Sequence, residues 1–432
     1  MKIAICTLGC KVNQYETQAL EAELTRRGHT LVPFEDAADA YIINTCSVTA
    51  VSDKKSRNVV RRARRSCPDA VVAVCGCYVQ THEEEARTLG ADLLMGTNDR
   101  MGFLDALERA AAQRQSPIVD VDDALKRRQF EILPAGGMEG RTRALLKVED
   151  GCVNFCSYCI IPYARGPIRS LPAQQAVAET VRLADEGYRE LVITGIEISS
   201  WGRDLPGKPE LIDLMEAICA AAPQLRIRLG SLEPRTITAN FCRRAAALPN
   251  LCPHFHLSMQ SGCDATLKRM NRKYDTSRYY ESVKLLREFF DAPAITTDMI
   301  VGFPGESKEE FAASLEFIRR CAFSSMHIFP YSPRPGTPAA TMKEQVTAAV
   351  KEERAHRAAQ TAQEMEANYL RSLTGCTLSV LFEQDEDGCS KGHAPNYVEV
   401  RVPRTGLHNV VQDVTITGVE GEHLLARELI AP

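Results

Sequence analysis

A chain of 432 residues is too long for one ordinary hydrophobic core and implies two or three domains. Hydrophobic residues at 44% and charged residues at 25% match a soluble globular protein, so no disorder needs to be invoked, and the lack of any run of 18 apolar residues argues against a membrane span. A formal net charge of -4 excludes a uniformly basic nucleic-acid binder, so any phosphate contact has to be local.

The N-terminal run M-K-I-A-I-C-T-L-G-C reaches Gly9 and Cys10 without a small-residue cleavage site and is not read as a signal peptide, so a cytoplasmic location is expected. Sixteen cysteines in such a chain point to metal binding rather than disulfides. Cys219, Cys242, Cys252 and Cys321 sit in apolar or helical surroundings and read as small buried hydrophobes.

Over residues 1–125, strand-like and helical runs alternate. Strands are predicted at Lys2 to Thr7, Ala40 to Thr45, Ala70 to Val74 and Ala91 to Met95, with helices at Gln14 to Arg27, Lys54 to Arg65 and Met101 to Ala112. The runs Tyr41-Ile42-Ile43 and Val71-Val72-Ala73-Val74 are continuously apolar, as in buried parallel strands, and the pattern predicts a small doubly wound β/α sheet. In such sheets ligands bind beyond the carboxyl ends of the strands. Cys10, Cys46 and Cys77 each follow a predicted strand, so three sequence-distant thiols are expected to share one edge. The alternative is that they are ordinary buried thiols. Cys6 and Cys75 fall inside strands and are weaker candidates, although Cys75 lies close to Cys77. The segment K-K-S-R-N-V-V-R-R-A-R-R carries seven basic residues between Lys54 and Arg65 and no acid. It reads as a solvated helix face or as a phosphate-binding patch.

A polar, glycine-containing connection from about Asp120 to Arg143 leads to a strand at Ala144 to Val148 and then to E-D-G-C-V-N-F-C-S-Y-C-I-I-P-Y-A-R-G. Here Cys152, Cys156 and Cys159 place three soft ligands within eight residues. A tetrahedral zinc site needs a fourth local ligand, and none follows. A 4Fe-4S cube suits three cysteines better, one per iron, with the fourth iron open to a small ligand. On spacing alone a structural zinc loop and a simple electron-carrying cluster remain alternatives. With Tyr158 before its last cysteine, the triplet resembles the signature of the radical S-adenosylmethionine (SAM) superfamily. That resemblance implies SAM bound to the open iron and cleaved to a 5′-deoxyadenosyl radical.

Together with G-C-K-V-N-Q-Y-E, N-T-C-S-V-T and G-C-Y-V-Q, the loop resembles the methylthiotransferase family of radical SAM enzymes. The wording G-C-K-V-N-Q-Y-E is similar to the branch acting on N6-threonylcarbamoyladenosine in tRNA, rather than the isopentenyladenosine or ribosomal-protein branches. The resemblance implies two 4Fe-4S clusters, an auxiliary one on Cys10, Cys46 and Cys77 and a SAM-cleaving one on Cys152, Cys156 and Cys159. It also implies SAM and tRNA as partners, and an electron donor such as flavodoxin or ferredoxin.

Strand and helix candidates alternate again beyond the loop, and about six β/α units in all predict a partial TIM-like (β/α)6 barrel whose working face is the carboxyl ends of the strands. Helices are expected at Ala173 to Glu186, Glu210 to Ala221, Ser277 to Phe290 and Lys308 to Arg320. Strands are expected at Glu190 to Thr194, Arg226 to Leu229, His254 to Leu257, Ala294 to Val301 and Ser325 to Phe329. On the working face, Gly195 allows close approach by the methionine end of SAM and Glu197 faces its amino group. Tyr158, Ser231, Glu233, Gln260, Ser261 and Asp298 are the other candidate cofactor contacts. Glu197 and Trp201 depart from the His and Tyr expected by resemblance. In H-I-F-P-Y-S-P-R-P-G-T-P, Tyr331, Arg334 and Thr337 read as groups for a splayed-out base and its phosphate, or as a linker loop.

A polar helix from Lys343 to Leu370 is followed by short strands at Thr377 to Phe382, Val398 to Val402, Val411 to Val419 and Leu424 to Leu429. This end resembles the TRAM domain, a small RNA-binding β-barrel, with Lys391, His393, Asn396, Tyr397 and Arg401 as candidate RNA contacts. The expected organisation is an N-terminal methylthiotransferase domain over 1–125, a radical SAM domain over 140–370 and a TRAM domain over 371–432.

Overall fold

The computed structural model describes residues 1–113, 117–133 and 141–429. Part of the connection expected between Asp120 and Arg143, and the expected start of the radical SAM domain at 140, lie outside the described residues.

Six parallel strands form the first sheet: β1 (Lys2–Thr7), β2 (Thr30–Val32), β3 (Ala40–Thr45), β4 (Val71–Gly76), β5 (Leu93–Met95) and β6 (Ile118–Asp120), in the order β2-β1-β3-β4-β5-β6. Helices α1 (Lys11–Arg26), α2 (Ala50–Ser66), α3 (Cys77–Thr81), α4 (Glu83–Arg87) and α5 (Arg100–Gln113) connect them. Leu20 and Leu24 of α1 join Phe103, Leu104 and Leu107 of α5 on one face, while Val60, Val79 and Ala86 pack on the other. The doubly wound reading therefore holds. The order of the chain reverses between β1 and β3, which makes a crevice at their carboxyl ends.

Helix α1 has a second role. Its Tyr15 and Ala19 belong to the core of the next unit, and the Tyr15 hydroxyl donates to the Leu133 carbonyl at 2.6 Å. That unit comprises β7 (Arg143–Asp150), α6 (Ile161–Arg165), β8 (Arg169–Ser170), α7 (Ala173–Asp185), β9 (Glu190–Gly195), α8 (Leu211–Ala221), β10 (Arg226–Leu229), β11 (Ser231–Leu232), α9 (Ala239–Ala246), β12 (His254–Leu257), α10 (Asp264–Arg269), α11 (Thr276–Phe289), β13 (Ala294–Val301), α12 (Lys308–Cys321) and β14 (Ser325–Pro330). Its strands form two four-stranded sheets, β10-β9-β7-β8 and β11-β12-β13-β14. Only Gly230 separates β10 from β11, so the two sheets are halves of one curved wall. Apart from the short antiparallel β8, every pairing is parallel, giving the expected open six-unit barrel.

The long helix α13 (Ala348–Ser372) begins five residues later than the sequence suggested. It leads to a closed barrel of β15 (Thr377–Glu386), β16 (Cys389–His393), β17 (Glu399–Val402), β18 (Val411–Glu420) and β19 (His423–Glu428). Strand β16 was not foreseen, because C-S-K-G-H lacks alternating β-formers; it is held by pairing with both β15 and β17. Among the described residues no helix is long and apolar enough to cross a membrane.

Candidate functional site

The crevice at the carboxyl ends of β1, β3 and β4 brings together the three sequence-distant thiols. Cys10 caps α1 with extended backbone and no side-chain cap bond, Cys46 follows β3, and Cys77 opens α3. Gly9 has φ +107, and a Cβ there would stand 2.8 Å from the Cys46 sulfur, so only glycine lets the first loop pass so close to the second. At Gly76, with φ +101, an added Cβ would stand 2.5 Å from the Thr45 carbonyl oxygen, and the turn there brings Cys77 to the other two. Burial pushes the Cys77 thiol up to about 12, against the pull of Arg165, and burial also raises Cys46. Cys75 sits inside β4 in the core shared with α5, where burial holds it up at about 11. It is thus separated from the thiol group that Cys77 joins.

The second thiol group lies beyond β7. Burial raises Cys152, with Glu197, Cys159 and Cys156 adding to the effect, and burial next to Cys156 pushes Cys159 to about 12. Arg272 donates to the Cys156 sulfur at 3.3 Å, to the Tyr274 hydroxyl at 3.0 Å and to the Ser258 carbonyl at 3.2 Å. Among the described residues no three His, Cys, Asp or Glu groups converge tightly enough to hold a single ion. The two thiol trios fit a cube, in which each thiolate takes a different iron and the sulfurs stand farther apart. The cost of ionising the buried thiols is met when iron replaces their protons.

Helix α6 begins two residues after Cys159 and ends at Arg165, beside Cys77. Five residues of helix advance only about 7.5 Å, so the two thiol groups are near neighbours. Their relative position is set by a fully buried ionic network. Glu16 of α1 accepts from Arg100 at 2.7 Å, from Lys147 at 3.2 Å and from Arg165, whose guanidinium also reaches the Asn13 carboxamide oxygen at 2.7 Å. Asp150 faces Lys147 at 3.2 Å, Arg169 at 3.4 Å and Arg165 at 3.5 Å. Burial alone would raise both carboxyls, but the cations outweigh it: Glu16 falls well below the usual range and Asp150 falls to about 2. Sequence reading used Glu16 and Arg165 only as letters of motifs; nothing in either segment signalled that they meet.

The candidate cofactor residues divide. Glu197 is half-buried, with one carboxyl oxygen out of solvent and lacking a hydrogen-bond partner, and desolvation followed by Glu233 raises it to about 7. Glu149 has a second orphan oxygen and accepts from the Glu197 amide at 2.6 Å. Two unpartnered carboxyl oxygens beside Cys152 make a receptive place for a cation such as the amino group of SAM. A Cβ on Gly195 would meet the Glu149 carbonyl at 2.8 Å, so packing against β7 already demands that glycine. Glu233 caps a short turn and pairs with Arg235 at 3.0 Å. Ser261 is buried against Ser314 and bonded to the Cys263 amide, a local structural role. Gln260 holds φ +66, an uncommon conformation for a side-chain-bearing residue and a frequent mark of functional loops. Trp201 is buried and donates to the Leu171 carbonyl at 2.9 Å. Tyr158 packs edge-on against Phe303.

Gly195, Ser231 and Asp298 line a cavity of about 550 Å³ that also contains Cys10 and Lys11. The same cavity reaches His254, His256 and His327 inside the barrel and is closed below by His393, Asn396 and Tyr397 of the C-terminal barrel. The latter three therefore line the cavity at the seam between units, with Tyr397 still exposed. The seam is fastened by Arg143 to Glu383 at 2.6 Å, Arg226 to the Ser379 carbonyl at 2.7 Å and Arg228 to the Pro395 carbonyl at 2.8 Å. Lys391 and Arg401 lie outside it, paired with Glu386 and Glu399.

The expectation for Tyr331, Arg334 and Thr337 needs correction. All three are buried: Arg334 pairs with Asp53 and donates to Ser47 at 2.6 Å, Tyr331 packs on Phe303, and Thr337 donates to the Arg334 carbonyl. This loop fastens α2 to the central barrel, and burial keeps all three side chains from presenting groups at the surface. On α2 itself, Arg57, Arg62 and Arg64 pair with Glu85, Glu35 and Asp92, whereas Lys54, Lys55, Arg61 and Arg65 are exposed without ion pairs among the described residues.

Comparison with known proteins agrees with this anatomy. Residues 2–96 match the family model described as "Uncharacterized protein family UPF0004", and residues 146–318 match the radical SAM superfamily. The chain is 39% identical to the threonylcarbamoyladenosine tRNA methylthiotransferase MtaB of Bacillus subtilis, covering 92% of this chain and 89% of that protein. The protein of the same name from Thermotoga maritima is 36% identical, with 88% and 86% covered. A tRNA-2-methylthio-N(6)-dimethylallyladenosine synthase from Pelotomaculum thermopropionicum is 32% identical, with 98% and 96% covered. Among solved structures, the radical SAM methyltransferase TsrM of Kitasatospora setae superposes with a TM-score of 0.56 at 14% identity, over 90% of this chain and 80% of that one, a likeness of fold.

Proposed function

This chain belongs to the radical SAM methylthiotransferases, and we infer from its cavity and its two thiol groups that it methylthiolates carbon 2 of N6-threonylcarbamoyladenosine at position 37 of tRNA. The observation that carries the reading is one cavity bounded by Cys10 on one side and by Gly195, Ser231 and Asp298 on the barrel face on another. An aromatic C–H has no useful acidity, so the reactivity comes from the cofactors and the protein supplies orientation and exclusion of water. When bound, SAM and its cluster supply the radical chemistry, and the auxiliary cluster supplies the place where sulfur is delivered.

The residues divide that work. Cys152, Cys156 and Cys159 would hold the SAM-cleaving cluster, with Arg272 donating to the Cys156 sulfur to stabilise its ionised form. Glu197 and Glu149, with their unpartnered oxygens, would take the amino group of SAM; Glu233 lies beside Glu197. Cys10, Cys46 and Cys77 would hold the auxiliary cluster, with Arg165 beside Cys77. The exposed cations of α2 would take phosphates of the tRNA. Exposed Phe155 and Tyr163, ring centres 5.7 Å apart beside the cysteine loop, offer stacking surfaces for unpaired bases. A flavodoxin or ferredoxin would donate electrons, in the cytoplasm.

The substrate arm is the choice to test, since relatives of both tRNA types resemble this chain. Anaerobic reconstitution with iron, sulfide, SAM and dithionite is expected to give 5′-deoxyadenosine, and methylthiolated nucleoside on tRNA carrying threonylcarbamoyladenosine. No 5′-deoxyadenosine would exclude the enzyme reading; methylthiolation only of dimethylallyladenosine would exclude the substrate.

A further inference from the structure

We propose that Lys11 is the specificity-determining residue of this enzyme, recognising the free carboxylate of the threonylcarbamoyl arm; the proposal rests on reading the Cys10 cavity as the substrate pocket. Three cations gather round the Tyr397 ring in and beside that cavity: Arg228 at 4.7 Å, Arg143 at 5.4 Å and Lys11 at 6.0 Å from the ring centre. Two are committed. Arg228 grips both oxygens of Glu190 at 2.7 and 2.8 Å, and Arg143 pairs with Glu383. Lys11 has no ion pair among the described residues and presents its ammonium group to the cavity.

Lys11 is the only lysine or arginine among the lining residues; the other donors are neutral hydroxyls, the Asn396 amide and the imidazoles of His254, His256, His327, His393 and His423. Asp298, Glu366, Glu399 and Glu422 supply carboxylates, with His256 3.3 Å from Asp298 and His423 3.2 Å from Glu399. Asp298, Glu366, Glu399 and Glu422 repel a substrate carboxylate, whereas Lys11 offers it a cation without an ion pair, which favours the orientation that brings the arm to Lys11.

Adenine geometry places the arm at the same end. Carbon 2 and the N6 nitrogen flank N1 on one edge of the ring. Turning carbon 2 toward the cluster held by Cys10 therefore sends the arm on N6 along the edge nearest to Cys10, and Lys11 is the next residue. A dimethylallyl arm has no charge to offer and would leave the ammonium facing an apolar group, which is how a polar subsite rejects an analogue lacking the matching group.

The test compares wild type, Lys11→Met and Lys11→Arg, all cluster-loaded and matched for iron, on tRNA bearing threonylcarbamoyladenosine and on tRNA bearing dimethylallyladenosine. Lys11→Met is expected to lose roughly 10–100-fold in kcat/KM on the first tRNA, chiefly through KM, with Lys11→Arg recovering most of it. Wild-type enzyme offered the same tRNA with the threonyl carboxylate methyl-esterified should show a loss of the same size, a readout that does not depend on how any variant folds. Equal use of ester and acid, or a Lys11→Met enzyme within twofold of wild type, would overturn the proposal while leaving the proposed reaction standing. Failure of wild type to modify the threonylcarbamoyl tRNA would remove both.

Discussion

Replacing Glu16 with Gln removes one negative charge from a site where the side chains of Arg100, Lys147 and Arg165 all have no solvent exposure. The substitution preserves shape, so the penalty is electrostatic: Lys147 and Arg165 are left with Asp150 as their remaining close carboxylate, and Arg100 loses its ion pair and keeps only the nearby Glu131. Breaking a buried pair in this way costs about 3–5 kcal/mol. At roughly 2–4 °C per kcal/mol for units of this size, the apo protein should melt about 6–20 °C lower. A control at the exposed pair Arg357–Glu353, with side chains 50% and 56% accessible, should move the midpoint by no more than about 1 kcal/mol in stability. Differential scanning fluorimetry of both variants measures the contrast. Because Arg165 also lies beside Cys77, Glu16→Gln should additionally weaken iron retention at the auxiliary site, read as iron per chain after desalting. A Glu16→Gln protein melting within 2 °C of wild type would refute the claim that this network holds the two cluster-bearing units in register.

The same network sets an acid limit. The folded pKa of Asp150 is depressed from 3.8 to about 2, so its contribution is present above pH about 4 and disappears as pH falls toward 2; the shift corresponds to about 2 kcal/mol. Glu16 is depressed in the same direction, so urea midpoints should fall steeply below pH 4, and flat midpoints from pH 5 to 2.5 would contradict this. Cys77→Ala should retain half of the iron and SAM cleavage while losing methylthiolation, whereas Cys75→Ala should keep both clusters; iron analysis with product assay separates them, and methylthiolated product from Cys77→Ala would refute the division. Changing Lys54, Lys55, Arg61 and Arg65 together to Ala should weaken tRNA binding and make the log–log salt dependence shallower by roughly 3 units if all four meet phosphate. An unchanged slope would place the tRNA elsewhere.

The parts legible in sequence were those with local signals. Apolar runs such as Tyr41-Ile42-Ile43 fixed buried parallel strands, and cysteines directly after such strands pointed to a shared edge. The choice between Cys75 and Cys77 depended on where β4 stops, and the turn at Gly76 decides it by sending only Cys77 into the crevice. Interactions between distant segments were not legible. Arg334 looked like a free cation between prolines, yet it is consumed by Asp53, 281 positions away. Tyr397 and His393 read in sequence as candidate RNA contacts of the C-terminal barrel; that they line the same cavity as Cys10 follows from how that barrel docks. Lys11 drew notice only as part of a motif; its lack of an ion pair in that cavity is a property of the assembled fold.

The central claim is that this chain, with its two thiol trios and the cavity that Cys10 lines, methylthiolates the threonylcarbamoyl nucleoside. Its most direct test is mass-resolved nucleoside analysis of tRNA from cells lacking this protein. Disappearance of 2-methylthio-N6-threonylcarbamoyladenosine, with accumulation of its unthiolated precursor and unchanged dimethylallyl nucleosides, is the expected result. Undiminished 2-methylthio-N6-threonylcarbamoyladenosine would contradict it.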